Sequence, residues 1–375
     1  MYKRQAFYRY ARLLSRNDVG FDANRLASPI AHFHRANAER AATFPNALLT
    51  TATHDHKRGE DVRARLAVLS ETPQAWTAAA ARWAEMNAGL DASIHPADAY
   101  QLYQTLVGAW PLELTPDDRE GLLGLGGRVA GWQQKALREA KLRSSWTAPD
   151  DAYEADCRRF LDQALDVERS RAFLTDLSRF VQGIAPAGAL NSLVQTVLRC
   201  TVPGVPDLYQ GTEFWDLSLV DPDNRRPVDF AARAATLESQ DGPSALLPLW
   251  RTGGVKQQIV ATALGLRRSA PELFQKGSYE ALDVRGVGAG HILAFVRRLG
   301  EEGLLVVVPL RCAAVIAGSK QPIVPASWWG DTTIIMPEAL AASAHDVLTG
   351  EARRLEGDVN VASLLAGFPI ALLRF

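Results

Sequence analysis

The chain lacks a charge excess. Its 41 Lys and Arg residues face 42 Asp and Glu, a formal net charge of −1 over 375 residues. No global field therefore draws it to nucleic acid or to an anionic membrane. Its longest basic clusters are pairs, Lys57-Arg58, Arg225-Arg226 and Arg267-Arg268. A nucleic-acid binder carries a basic face or run, so that class is set aside. Cysteine is scarce: Cys157, Cys200 and Cys312 lie far apart, with no CxxC pair and no metal-ligand spacing. They read as small buried apolar side chains in a reducing compartment, and nothing asks for a metal or a cofactor. No apolar run approaches the ~18 residues of a membrane span. The N-terminus has no basic, then apolar, then small-residue order of a signal peptide. Low-complexity segments and internal repeats are absent too. These absences leave a soluble, cytoplasmic protein.

What is present is a 47% hydrophobic fraction, in a chain long enough for a packed core and more than one domain. The first two-thirds is helix-rich. Apolar residues fall at helical spacing over Ala6–Ser15, Pro29–Ala42 and Pro96–Ala109. Thr72-Pro73 opens a further helix that puts Trp76 and Trp83 on one face. Thr115-Pro116-Asp117-Asp118 reads as an N-cap, a Pro at the first helical position and first-turn acids, opening a helix to about Ser145. Pro149-Asp150-Asp151 starts another, and Glu168–Gly183 predicts a third. Two short apolar segments, Ala47–Thr53 and Val205–Gln210, read as buried parallel strands whose C-terminal ends carry functional loops, the face on which a (β/α)8 barrel works. After Lys276-Gly277 the texture turns to strands: Tyr279–Val284, His291–Arg298, Gly303–Pro309, Ala313–Ala317, Thr332–Met336, His345–Leu348 and Phe368–Phe375. Gly or charged turns separate them, which suggests an antiparallel β-sandwich.

Two constellations could carry chemistry. The first is Thr53-His54-Asp55-His56-Lys57-Arg58-Gly59-Glu60-Asp61-Val62-Arg63-Ala64-Arg65. A His-Asp step at the mouth of an apolar strand puts groups easily perturbed by desolvation where a barrel binds substrate. Glu60 and Asp61 read equally well as ordinary first-turn acids, and Arg63 and Arg65 as solvated. The second runs from Pro203 through Asp207, Tyr209, Gln210, Gly211, Glu213, Trp215 and Asp216 to Asp221-Pro222-Asp223-Asn224-Arg225-Arg226 and Asp229. Carboxylates, amides, arginines and rings interleave there. Sugars suit that mixture, since their hydroxyls hydrogen-bond and their C–H faces stack on rings. Pro-Asp-Asn is also ordinary turn chemistry, so Asp223 and Asn224 have a purely structural alternative.

The HDHKRGEDVRAR run and the PGVPDLYQGTEFWDLSLVDPDNRRPVD run resemble the malto-oligosyltrehalose synthases, a branch of the α-amylase superfamily (glycoside hydrolase family 13). AFYRYARLLSRNDVG is similar to that family's segment before the seventh barrel strand. The resemblance implies the C-terminal part of a catalytic (β/α)8 barrel over residues 1–276, with a helical insertion at about 66–166, followed by a β-sandwich over 277–375. It implies an isomerase that converts the reducing-end α-1,4 linkage of a malto-oligosaccharide to α,α-1,1 within one molecule, in trehalose biosynthesis. The retaining chemistry uses a carboxylate nucleophile, an acid/base carboxyl and a third carboxylate. Asp55 matches the third carboxylate, which stabilises the transition state, and His54 the histidine on the same sugar ring. Gln210, Gly211 and Glu213 match the segment supporting the site floor, with Tyr209 and Trp215 beside it. Lys57, Arg58, Arg63, Arg65, Asp221, Asn224 and Arg225 would line or brace the reducing-end side. A malto-oligosyltrehalose trehalohydrolase is the implied pathway partner.

Two departures stand out. The family's nucleophile and general acid belong to earlier barrel strands, so the chain reads as a fragment lacking the N-terminal barrel half and inactive alone. His56 stands where a small hydroxyl residue is expected, which suggests titration near neutrality and an altered pH response. Alternatives are another glucan hydrolase or glucosyltransferase of the superfamily, or a non-catalytic glucan-binding protein.

Overall fold

The computed structural model describes residues 2–22, 25–90, 92–239, 241–337, 340 and 342–375. In chain order the helices are α1 (Tyr2–Arg9), α2 (Ile30–Thr43), α3 (Glu60–Ala67), α4 (Pro73–Met86), α5 (Pro96–Ala109), α6 (Arg119–Ala140), α7 (Asp151–Ala164), α8 (Arg171–Thr201), α9 (Phe230–Glu238), α10 (Pro243–Leu246), α11 (Gly254–Ser269), α12 (Pro271–Lys276), α13 (Ala313–Ile316) and α14 (Val361–Leu364). The strands are β1 (Leu48–Leu49), β2 (Val205–Pro206), β3 (Ser278–Ala281), β4 (Val284–Arg285), β5 (Ile292–Leu299), β6 (Glu302–Pro309), β7 (Thr333–Ile334), β8 (Ala342–Asp346), β9 (Ala352–Leu355), β10 (Val359–Asn360) and β11 (Ala371–Arg374). The chain divides into two compact units. One comprises residues 1–26, 53–188 and 216–227; the other comprises 27–52, 189–215 and 228–375.

The first unit is helical. Its core includes the face of α4 that carries Trp76 and Trp83, whose rings meet edge to face at 5.8 Å. Phe180, Tyr103 and Phe173 complete an aromatic cluster around Trp83, which is fully buried. Its indole N–H is satisfied by Asp176 Oδ2 at 2.8 Å, as a buried ring nitrogen requires. Arg65 is 4% exposed and donates to the carbonyls of Val107, Gly108 and Trp110. Those are free carbonyls at the C-terminus of α5, which need a partner from outside the helix.

Several expected elements differ. The first helix ends at Arg9, followed by a short 3-10 turn at Leu14–Arg16. The reason is local: Asn17 Nδ2 donates to the carbonyls of Phe7 and Tyr10, holding the end of α1. Thr115 is a turn residue, and the cap of α6 is Asp118, whose Oδ1 accepts from Gly121 N at 2.9 Å. The last helix of this series runs on through Pro186. Ile184, Ala185, Ala187 and Ala189 around it are buried, so packing outweighs the lost backbone donor.

The second unit contains the sheets. β1 and β2 pair in parallel, Leu48 with Val205 and Leu49 with Pro206, but each has only two residues, and Leu48 is 74% and Val205 39% exposed. The expected pairing is present and the expected burial is not, because no third strand flanks this pair among the described residues. Antiparallel pairing governs the rest, with a six-stranded sheet ordered β3-β5-β6-β11-β8-β9 and a three-stranded sheet β10-β7-β4. Every position of β5 from Ile292 to Val296 and of β6 from Gly303 to Pro309 is buried, so both faces of the sheet are covered there. Ala313–Ile316, expected as a strand, is a single helical turn; a four-residue apolar run fits either period. All three cysteines are free and buried, and no helix among the described residues is long and apolar enough to cross a membrane.

Candidate functional site

The site is built in the first unit by four stretches far apart in sequence. Asp18, fully buried, follows the 3-10 turn. Its Oδ1 accepts from Lys57 N at 2.8 Å and its Oδ2 from Arg58 N at 3.1 Å. Arg63 Nε lies 3.5 Å from Oδ2. One carboxylate thus holds the loop before α3 and balances buried arginine charge. Arg58 (1% exposed) also donates to Asn17 O at 3.2 Å, and Arg63 (7%) to Arg58 O at 3.2 Å. The structure packs Arg58, Arg63 and Arg65 inside, where they brace the loop and the neighbouring helix.

The segment 216–224 closes against the same loop. Gly59 N donates to Ser218 O at 2.8 Å, and Asp216 N to Asp61 Oδ2 at 2.5 Å. Glycine is required at 59 by this approach, since a Cβ there would lie 2.5 Å from Asp216 O. Asn224 Nδ2 donates to His54 O at 2.9 Å. Asp223 takes both ends of Arg128, Nε and Nη2 at 3.0 Å each, and the Leu219 N–H at 2.7 Å. Burial pushes the Asp223 carboxyl up, but Arg128, the Leu219 N–H and Arg226 outweigh it and hold its pKa below the usual range. Asp223 is therefore an ionised strut.

What this framework presents is Asp55. Its side chain is 49% exposed, and Lys57 Nζ, itself nearly buried, reaches its Oδ1 at 2.8 Å and its backbone carbonyl at 2.6 Å. Asp55 opens on a cavity of about 140 Å³ with His54, Lys57, Asp221 and Arg225. Arg225 Nε pairs with Asp221 Oδ1 at 2.6 Å. The remaining wall is Tyr8, Lys135, Glu139 and Val220, none of them singled out from sequence. Lys135 donates to Asp221 O at 2.7 Å. The lining thus alternates anionic acceptors with cationic donors, the chemistry that a polyhydroxylated ring needs. His56 does not join it. Its ring is 7% exposed with Nδ1 2.8 Å from Thr53 Oγ1, and burial holds its pKa below the ordinary value. The expected near-neutral titration gives way to a neutral, structural imidazole.

Tyr209, Gln210, Glu213 and Trp215 fall in the second unit. Tyr209 O accepts from Thr212 N in a turn, and Gln210 is exposed. Glu213 Oε2 pairs with Arg233 Nε at 3.1 Å, and Arg233 also donates to Gly211 O at 2.6 Å. The Trp215 indole donates to Trp250 O at 2.8 Å, with Lys256 Nζ 5.9 Å from its ring.

No family model matches the chain. A curated protein of Mycobacterium tuberculosis, provisionally named a maltooligosyl trehalose synthase, is 36% identical over 370 residues, 98% of this chain and 42% of that protein. The solved maltooligosyltrehalose synthase of Arthrobacter ramosus matches with a TM-score of 0.81 at 37% identity, covering 99% of this chain and 44% of its own. A hypothetical maltooligosyl trehalose synthase of Sulfolobus tokodaii gives 0.74 at 27% identity, covering 100% and 45%. The chain therefore spans less than half the length of these relatives.

Proposed function

The chain corresponds to the C-terminal part of the malto-oligosyltrehalose synthases, and on that premise we propose that it carries the transition-state-stabilising side of a glucan-isomerising site. The observation that carries the reading is the half-exposed Asp55 carboxylate, clamped by Lys57 at the mouth of a hydroxyl-binding cavity. The whole reaction moves the reducing-end glucose of a malto-oligosaccharide from an α-1,4 to an α,α-1,1 linkage. Retention requires a nucleophile and an acid/base carboxyl in addition to a third carboxylate. We assign the third role to Asp55; the other two come from the part of the relatives that this chain does not span.

Asp55 and His54 grip hydroxyls of the ring that becomes oxocarbenium-like, and the ionised carboxylate is complementary to the charge developing there. The cavity volume of about 140 Å³ is well below the about 300 Å³ lower bound of an ordinary ligand pocket, so it suits one sugar ring. Lys57, Asp221 and Arg225 form the reducing-end wall, while Asn224, through the His54 carbonyl, and Arg58 and Arg63 support it. Isomerisation prevails over hydrolysis when the released glucose stays trapped long enough to turn and attack before water does. In this reading β1 and β2 are two late strands of a (β/α)8 barrel over 1–276, with a helical insertion at about 66–166 and a β-sandwich at 277–375. The reduced, buried cysteines favour a cytoplasmic setting, and a malto-oligosyltrehalose trehalohydrolase would consume the product.

The test is a joined protein in which this chain continues the N-terminal part of the M. tuberculosis relative. Incubated with maltopentaose, it should lose reducing ends without releasing an equal amount of glucose. Glucose released in step with cleavage would replace the isomerase by a hydrolase.

A further inference from the structure

We propose that the Tyr8 hydroxyl is a further substrate-contacting group, donating a hydrogen bond to a hydroxyl of the sugar ring seated against Asp55. The inference rests on the glucan reading of this cavity and adds a specificity-determining residue to it. Tyr8 is only 3% exposed, yet it lines the same cavity as Asp55. Among the described residues its hydroxyl has no hydrogen-bond partner, and the oxygen is not fully enclosed either. An aromatic hydroxyl that is buried normally finds a partner, and leaving one unmade is costly. The position open to this one is the cavity.

The ring cannot easily turn away to find a partner elsewhere. α1, which carries Tyr8, is tied to the end of α6 by Arg9 Nε, which donates to Ala140 O at 2.6 Å. α6 in turn supplies Lys135 and Glu139 to the same wall. Glu139 Oε1 is held by the Trp146 indole at 3.0 Å and Lys135 by Asp221 O at 2.7 Å, so the two ionic groups are fixed while the phenol is left to the ligand. Burial pushes the phenol upward in pKa, against a smaller opposing pull from Arg58, which keeps it a proton donor throughout the working range. A site that hydrogen-bonds a substrate hydroxyl rejects the analogue lacking it. Tyr8 therefore reads one hydroxyl of the ring.

The experiment is calorimetric titration of the 375-residue chain with maltotriose, for the parent and for Tyr8→Phe, with monodeoxy maltotrioses as a second arm. The parent should bind maltotriose, and Tyr8→Phe about three- to tenfold more weakly, the loss of one neutral hydrogen bond. One monodeoxy sugar should lose the same factor on the parent and bind Tyr8→Phe no worse than maltotriose does. The sugar arm needs no variant, so a poorly folding Tyr8→Phe would not obscure the answer. Equal affinity of parent and Tyr8→Phe for maltotriose, with no monodeoxy sugar distinguished, overturns the role of Tyr8 alone. No binding of maltotriose by the parent overturns the glucan reading of the cavity and this inference with it.

Discussion

Lys57 and Asp55 close a small ring over two residues: the ammonium lies 2.6 Å from the Asp55 carbonyl oxygen and 2.8 Å from its carboxylate. The backbone of Lys57 is pinned in turn by Asp18 at 2.8 Å. The exposed carboxylate is thereby aimed by a buried one. Lys57→Met keeps the length of the side chain and removes the clamp. In the joined protein, kcat on maltopentaose should fall about 10- to 100-fold, the scale of an ångström-sized misplacement, with a smaller change in KM. An unchanged kcat would mean that Asp55 needs no aiming.

Asp18 should matter more to folding than to sugar contact. Asp18→Asn keeps the shape but removes the charge facing Arg63, with both side chains buried at 0% and 7% exposure. Its amide would also turn donors toward some of the N–H groups of Val19, Lys57 and Arg58. Breaking a buried pair typically costs about 3–5 kcal/mol. Urea unfolding of the chain should show a loss on that order, and an unmoved midpoint would refute the bracing role.

Arg297 is the counterpart in the second unit. It is 2% exposed and donates to the carbonyls of Ser278, Thr201, Leu273, Phe274 and Gly277, closing the C-terminal ends of α8 and α12. Burial lowers its pKa to about 10, so it stays charged at neutral pH. Arg297→Ala should destabilise by about 3 kcal/mol, since it orphans several buried acceptors at about 1–3 kcal/mol each with partial relaxation. Arg297→Lys should restore only part of this, because an ammonium cannot fork to five oxygens. Full rescue by Lys would show that charge alone matters.

Asp346 sets a pH dependence. Burial raises its carboxyl to about 6, although the Leu348 N–H lowers it in part. A carboxyl raised on folding stabilises the fold fully below its unfolded value of about 4, and that contribution is lost as pH rises through about 6. The melting temperature of the parent should therefore include a component that falls between pH 4 and 7. Asp346→Asn, whose carbonyl can still accept from Leu348 N, should remove that component and melt higher at pH 7. A steeper fall in the variant would contradict the assignment.

Part of this could be read from the residues alone. His54-Asp55 follow an apolar segment and precede a helix with first-turn acids, and both signals are local. Lys135 and Glu139 had no such signal, because they lie in ordinary helical sequence; Tyr8 lies within the AFYRYARLLSRNDVG segment, but nothing local marks it as a wall residue, and the three become neighbours only when α1 meets α6. Side-chain direction was equally hidden. Arg58, Arg63 and Arg65 share the motif with Lys57, yet only Lys57 reaches the cavity, since the others are drawn inward by Asp18, Asn17 and the end of α5. His56 misled for the same reason, as its titration depends on burial that the sequence does not state. The short apolar run at Ala313–Ile316 fits a strand or a turn of helix equally, and packing decided it.

The most direct test of the central claim is the activity of Asp55→Asn in the joined protein. Reducing-end loss from maltopentaose would be followed alongside calorimetric affinity for the same sugar. The account predicts a fall in rate of at least about a thousandfold, as for loss of a group acting mainly in the transition state, with affinity within about tenfold of the parent. A variant that keeps its rate within tenfold would contradict it, and the third carboxylate would then have to be sought elsewhere.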